Sequence, residues 1–267
     1  MTAETDPARL AEELAREVER RRRAEADLEQ AVAELRRSNV ELEQFAYVAS
    51  HDLQEPLRAI GGYAQLLARR YHGKLDSDAD EFIAFMVEGV RRMQTLIHDL
   101  LHYGRVGRQK PDRAPVALAE LLQRGLRQLE GALRESGAEV TGESLPTLSV
   151  DAGQITQLFQ NLVGNAIKYR SAQPPRIRVS AARERAGTEW TVSVQDNGLG
   201  IDPKYFPKLF VPFQRLHTHE QVPGSGIGLA LCKRIVEGHG GRIWAESEPH
   251  RGATFRFTIP AGEAECS

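Results

Sequence analysis

The sequence predicts an all-α coiled coil and dimeric four-helix bundle, followed by an α/β sandwich. Three observations predict it: a heptad pattern through the first fifty residues, two amphipathic helical stretches around a short Gly-containing break, and strands interleaved with helices thereafter. The first fifty residues contain no Gly, and their only Pro is Pro7, so one long helix is expected. Heptads place Ala11, Val18, Val32, Ala46 and Leu53 at a, and Leu14, Leu28, Leu35, Leu42 and Ala49 at d, the seam of a parallel dimeric coiled coil. Arg21 and Glu25 interrupt this seam. Asn39 sits at an a position, where a polar side chain fixes register at some cost in stability. In this frame His51 falls at f and faces away from the seam.

Pro56 lacks a backbone N–H and is expected to kink the helix without ending it, because Leu57, Ile60, Tyr63, Leu66 and Leu67 continue an apolar stripe. Tyr71 to Lys74, with Gly73, breaks the chain. Ser77 is the expected cap of a second helix, with Asp80 at its third position. Phe82, Phe85, Met86, Val90, Met93, Ile97, Leu100 and Leu101 give that helix one apolar face, and two such helices from each of two chains make the bundle. Past Val106, Gly107, Pro111 and Pro115 mark a linker. Beyond it the pattern reads as a helix from Leu118 to Glu135, strands at Glu139–Thr141 and Thr147–Val150, and a helix from Ala152 to Tyr169. Strands at Arg176–Ala182 and Trp190–Gln195 follow, then a loop-rich stretch, a helix from Gly226 to Gly238, and strands at Arg242–Glu246 and Thr254–Ile259. The expected divisions are 1–44 coiled coil, 45–106 bundle, 107–115 linker and 116–262 sandwich.

A length of 267 residues excludes a single small module, and 41% hydrophobic against 27% charged residues excludes a disordered chain. The net charge of −2, from 35 basic and 37 acidic residues, removes a global electrostatic case for nucleic-acid binding. Cys232 and Cys266 form no Cys-x-x-Cys pair, which argues against a disulfide framework or a zinc site. The charged N-terminus and the lack of a long uncharged window point to a cytoplasmic chain without membrane insertion.

Three features of the sandwich suit a nucleotide. Asn161 and Asn165 lie four apart on one helix, with Lys168 about a turn further on; amide oxygens can ligate Mg²⁺ and the ammonium can neutralise a phosphate. Asp196-Asn197-Gly198-Leu199-Gly200 follows a strand, so a carboxylate stands at a strand end beside glycines that let a flat base approach. Gly224-Ser225-Gly226-Ile227-Gly228-Leu229 opens a helix, offering free N–H groups to phosphates. Taken singly, each also reads as a solvated helix face, a plain turn or a structural loop.

In this order the features resemble a known family. Asn161-x3-Asn165-Ala166-x-Lys168-Tyr169, Asp196-x-Gly198-x-Gly200, Phe210-x-x-Phe213 and Gly224-x-Gly226-x-Gly228-Leu229 look like the N, G1, F and G2 boxes of GHKL (Bergerat-fold) ATPases. Upstream, Phe45 to Arg58, containing His51-Asp52-Leu53-Gln54-Glu55-Pro56, resembles the H-box of two-component sensor histidine kinases, most like the phytochrome-type group. The resemblance spans about residues 40–260. It implies that His51 is the phosphoacceptor and that Asp52 holds its other ring nitrogen and accepts a proton. Asn165 would then be the principal Mg²⁺ ligand with Asn161 assisting, Lys168 a phosphate contact, and Tyr169 a residue packed on the adenine of ATP. Asp196 would bond the adenine amine, Gly198 and Gly200 would border the base, and Gly224, Gly226 and Gly228, with Leu229, would line the triphosphate. Gln214 to Pro223 reads as a short lid anchored by Phe210 and Phe213, with Arg215 as a further phosphate contact. His217 and His219 lack the carboxylate framework of a metal site. The implied partner is a response-regulator receiver domain, phosphorylated on an aspartate.

Two departures stand out. Glu55 occupies the position where family members with phosphatase activity often carry Thr or Asn, so dephosphorylation by that route is not expected; Arg170 stands where a small hydroxyl residue is common. Nothing before residue 45 is long enough for a sensory domain, so an upstream sensory domain or protein is expected to supply the input. Two other classes stay open at this point: a nucleotide-gated clamp like the GHKL chaperone and mismatch-repair ATPases, and a receiver-binding scaffold or phosphatase.

Overall fold

A computed structural model describes residues 7–106, 110–184, 187–214 and 225–261, with side chains described for 16–34, 37, 44, 50 and, within those ranges, from 52 onward. Helix α1 runs from Pro7 to Tyr71. The chain divides after Ala49. In the first unit, Val18, Leu28 and Val32 are exposed along the expected seam, while Arg23 pairs with Glu19 at 3.0 Å and Arg20 with Glu17 at 3.4 Å. Such pairs support a solvated helix face by a few tenths of a kcal/mol each, roughly.

In the second unit α1 continues helically through Pro56 to Tyr71, and α2 spans Ser77–Val106. The helices pack through Leu57, Ala64, Ile83, Val90 and Leu101, all buried. They approach closely at Gly61, where a Cβ would stand 2.8 Å from Val90 Cγ1. The expected cap is corrected: Asp76, not Ser77, caps α2, its Oδ1 accepting from Ala79 N at 2.8 Å. Asp80 is turned back to accept from Gly73 N at 2.9 Å, holding the turn closed. A second apolar stripe remains uncovered in the single chain, including Ile60, Tyr63 and Leu66 of α1 and Phe82, Phe85 and Met86 of α2; Tyr63 is 71% exposed and Phe82 62%.

The sandwich contains β1 (Ala114–Ala117), α3 (Leu118–Gln128), α4 (Glu130–Ser136), β2 (Glu139–Glu143), β3 (Thr147–Val150), α5 (Ala152–Lys168), β4 (Arg176–Arg183), β5 (Glu189–Gln195), a 3₁₀ helix at Pro203–Lys208, α6 (Gly228–Gly238), β6 (Ile243–Ser247) and β7 (Ala253–Pro260). The main sheet has the order β2-β4-β5-β7-β6, with β2 and β4 parallel and every other pair antiparallel, so the sheet of the expected sandwich is mixed. Alternation places Val192 and Val194 of β5, with Phe255, Phe257 and Ile259 of β7, on the face that meets the α3, α5 and α6 core. β1 and β3 form a separate antiparallel pair.

Four expectations are revised. The single helix from Leu118 to Glu135 is two, parted at Leu129, whose φ of −101° and ψ of 8° leave the helical region. The last two residues of the expected linker, Ala114 and Pro115, already belong to β1, which runs to Ala117. The loop-rich stretch contains the 3₁₀ helix, capped by Asp202 accepting from Lys204 N. α6 starts at Gly228, because Gly226 has φ of +76° and cannot be its first turn.

His239 ties the end of α6 to the start of α5. It is 1% exposed; its Nε2 accepts from Asp151 N at 3.0 Å, so Nδ1 carries the proton and donates to the Ile235 carbonyl at 2.8 Å. Burial pushes its pKa below the usual imidazole value, with the Ile235 bond partly opposing. An imidazolium could not accept the Asp151 N–H. The unfolded chain takes up this proton below about pH 6.5, where the folded chain resists it. This contribution to stability is therefore intact above about pH 6.5 and lost as pH falls, by at most about 1.4 kcal/mol per unit. Urea unfolding of the wild-type chain and a His239→Asn variant across pH 5–8 checks this: the variant should show the shallower dependence.

Candidate functional site

One cavity of about 260 Å³ gathers Asn161, Asn165, Lys168, Tyr169, Asp196, Gly200, Gly226, Gly228 and Leu229. The geometry begins with α5, started by Asp151 Oδ1 accepting from Gln154 N at 3.0 Å. Its helical repeat turns Asn161, Asn165 and Lys168 to one side and buries Leu158, Leu162, Val163 and Ile167 on the other. Lys168 Nζ lies 5.1 Å from the centre of the Tyr169 ring, which holds the cation at the cavity wall. Arg170 donates to the Ile167 carbonyl at 3.3 Å, so this departure from the family pattern serves the helix end.

Asp196 stands at the end of β5. Its Oδ1 accepts from Gly198 N at 2.8 Å and Ala253 N at 3.1 Å, which fixes the carboxylate and leaves Oδ2 for a ligand. Burial raises its pKa, and these two N–H donors partly offset that effect. The glycines around it are sterically required. A Cβ at Gly198 would stand 2.5 Å from the Tyr169 carbonyl oxygen, and one at Gly200, where φ is +72°, 2.0 Å from the Glu248 carbonyl oxygen. Gly198 thus seats the loop against the end of α5, and it is not among the residues lining the cavity.

At the far wall the N-terminus of α6 has no side-chain cap, so its first N–H groups are available to an anion. Gly228 permits the approach of α5: its Cβ would meet Asn161 Oδ1 at 3.3 Å. Asn161 Nδ2 is buried without a hydrogen-bond partner among the described residues. Hard, neutral amide oxygens beside a site for phosphate oxygens fit Mg²⁺, which binds few protein ligands and keeps phosphate and water. Among the described residues no cluster of three His, Cys, Asp or Glu offers another metal site.

Of the remaining expectations, Arg215 and Gly224 lie outside the described residues, as do His217, His219 and the lid from 215 to 223. The backbone of His51 belongs to α1, but its side chain is also outside them. Asp52 is exposed on α1. Phe210 packs against the core, but Phe213 is 57% exposed with φ of +62°, so it does not anchor a lid by burial. Cys232 is a free, fully buried thiol whose pKa is raised by burial. The sequence reading missed Thr95, Asp99, Lys208 and Phe255, which also line the cavity. Alternation along β7 is a local signal that could have marked Phe255 as inward-facing; nothing local marks the others.

A mixed sheet covered by helices, with amides on one helix, a fixed carboxylate at a strand end and a glycine turn before an uncapped helix, defines a nucleotide-binding domain of the GHKL type. Residues 150–263 match the family model for histidine kinase-, DNA gyrase B- and HSP90-like ATPases, and residues 41–109 match the His Kinase A (phospho-acceptor) domain. The chain is 51% identical to Cyanobacterial phytochrome A of Nostoc sp. over 90% of its own length and 31% of that protein. It is 47% identical to Phytochrome-like protein Cph1 of Synechocystis sp. over 88% of its length and again 31% of the relative. Among solved structures, full-length ShkA in complex with AMPPNP superposes with a TM-score of 0.64 at 28% identity, covering 82% of this chain and 46% of ShkA. The histidine kinase ThkA in complex with the response regulator TrrA gives 0.56 at 25%, covering 84% of this chain and 62% of that one. The chain thus carries both a His Kinase A domain and a histidine kinase-type ATPase domain, and it spans about a third of the length of the phytochrome relatives it matches. No helix among the described residues is long and apolar enough to cross a membrane.

Proposed function

We propose that the chain is an ATP-dependent protein-histidine kinase that phosphorylates itself on His51 and passes the group to an aspartate of a response-regulator receiver domain. The observation that carries this reading is the single cavity joining the α5 amides, Asp196 and the start of α6, in a chain whose α1 bears His51-Asp52. Asp196 Oδ2 accepts the exocyclic amine of adenine. Tyr169 and Leu229 pack beside the nucleotide, Gly200 lets the base approach, and Lys168, Arg215 and the turn from Gly224 to Gly228 meet the phosphates. Asn165, with Asn161, would hold Mg²⁺, which would supply positive charge to neutralise the phosphates. A neutral His51 ring nitrogen attacks the γ-phosphorus; a P–N bond forms as the P–O bond to ADP breaks, and Asp52 accepts the proton of the other ring nitrogen.

The uncovered apolar stripe of α1 and α2 supports a homodimer, in which a second copy completes a four-helix bundle. The exposed seam residues of the first unit suit a coiled coil in the same dimer. Divisions at 1–44, 45–106, 107–115 and 116–262 assign these roles, and an upstream sensory domain or protein supplies the input. Incubation with ATP labelled in the γ position should give a protein label that acid removes and base does not. A label stable to acid, or steady ATP hydrolysis without any label, would reject the reading.

A further inference from the structure

Helix α2 is a wall of the nucleotide cavity as well as a helix of the bundle. Thr95, Asp99 and Tyr103 recur every four residues, so they share one helical face. At its lower end Tyr103 and Val106 pack against the sandwich core, and Arg234 of α6 lies over the Tyr103 ring with Cζ 4.6 Å from its centre. Arg113, just past α2, donates to the Gly238 carbonyl at the end of α6 at 3.0 Å. With α2 seated in this way, Thr95 and Asp99 line the same cavity as Asn165, Lys168 and the Gly226–Leu229 turn. Thr95 spends its hydroxyl proton on the Arg91 carbonyl at 3.1 Å, leaving Asp99 as the charged group that α2 presents. The cavity's other charged side chains among the described residues are Asp196, Lys168 and Lys208, all from the sandwich.

We propose that Asp99 makes nucleotide affinity depend on the seating of α2: its carboxylate opposes the charge of the phosphates while α2 is docked, and a bound triphosphate in turn weakens the docking. This rests on the cavity being the ATP site. The two effects are one coupling read from either end. The sign follows from like charges sharing one cavity, where one such pair interacting across water is worth about a fivefold change in affinity.

Calorimetric titration of the full 267-residue chain with ATP, ADP and adenosine, each in EDTA and in Mg²⁺, tests it. Asp99→Asn should tighten ATP about fivefold, ADP less, and adenosine not at all. Tyr103→Ala, which unseats α2, should tighten ATP by itself and abolish the effect of Asp99→Asn in the double variant. Should Asp99→Asn fold poorly by circular dichroism, Asp99→Ser carries the same expectation. Unchanged ATP affinity in the folded variant overturns the proposal, as does an equal gain for adenosine. Weakened binding confined to Mg²⁺ also overturns it, because Asp99 would then be a metal ligand. A wild-type chain that binds neither adenosine nor ATP would instead reject the site reading beneath it.

Discussion

A His51→Gln chain should take no phosphoryl group from ATP yet bind the nucleotide as tightly as the wild-type chain. Glutamine is a good helix former, so α1, continuous from Pro7 to Tyr71, has no reason to break at this position. What disappears is the nucleophile: an amide nitrogen has its lone pair delocalised into the carbonyl and is a far poorer nucleophile than a neutral imidazole nitrogen at pH 7. Label should fall by at least about 10³-fold, to background. Binding should survive because the substitution leaves Asn165, Lys168 and Asp196, the groups proposed to hold the nucleotide, untouched. Phosphorylation and calorimetry on the same preparation check both halves, and a variant that still labels would move the acceptor elsewhere.

Asp196→Asn should do the opposite, destroying binding while leaving the acceptor intact. An asparagine placed like Asp196 keeps an oxygen for the Gly198 and Ala253 N–H groups, so the loop has its partners and the chain should fold. The other oxygen becomes an NH₂. A donor then faces the donor amine of adenine, and two buried groups lose their partner at once. That costs roughly 3 kcal/mol, about a hundredfold in affinity. Titration with ADP measures it directly, and affinity within threefold of wild type would remove Asp196 from the base-recognition role. Mixing the two variants offers a further reading: if a dimer transfers between protomers, His51→Gln and Asp196→Asn chains together should recover label that neither yields alone.

Much of this site was legible because its determinants are local. The spacing of Asn161, Asn165 and Lys168 fixes a helix face once the helix is inferred, and an acidic residue closing an alternating strand fixes Asp196 at a sheet end. The missed features depend on distant partners. Leu126, Leu129 and Leu133 keep apolar spacing across the α3–α4 break, so periodicity runs through a point where the backbone does not. β1 is four residues long, includes Pro115, and exists through its pairing with β3. Asp76 and Ser77 are both good caps, and the choice between them turns on Asp80 being held by Gly73 N. Thr95 and Asp99 read as ordinary surface positions of an amphipathic helix until α2 is placed beside α6.

Pro56 gives α1 a mechanical character that its unbroken helical path conceals. Lacking an N–H, it leaves out the rung that would tie residue 56 to the carbonyl of Asp52, and the missing rung lies within about a turn and a half of His51. A shaft with one weakened cross-section yields there first. In a dimer joined by a coiled coil, torque arriving along it would thus be concentrated beside His51, the proposed acceptor, rather than spread over the whole length of the helix.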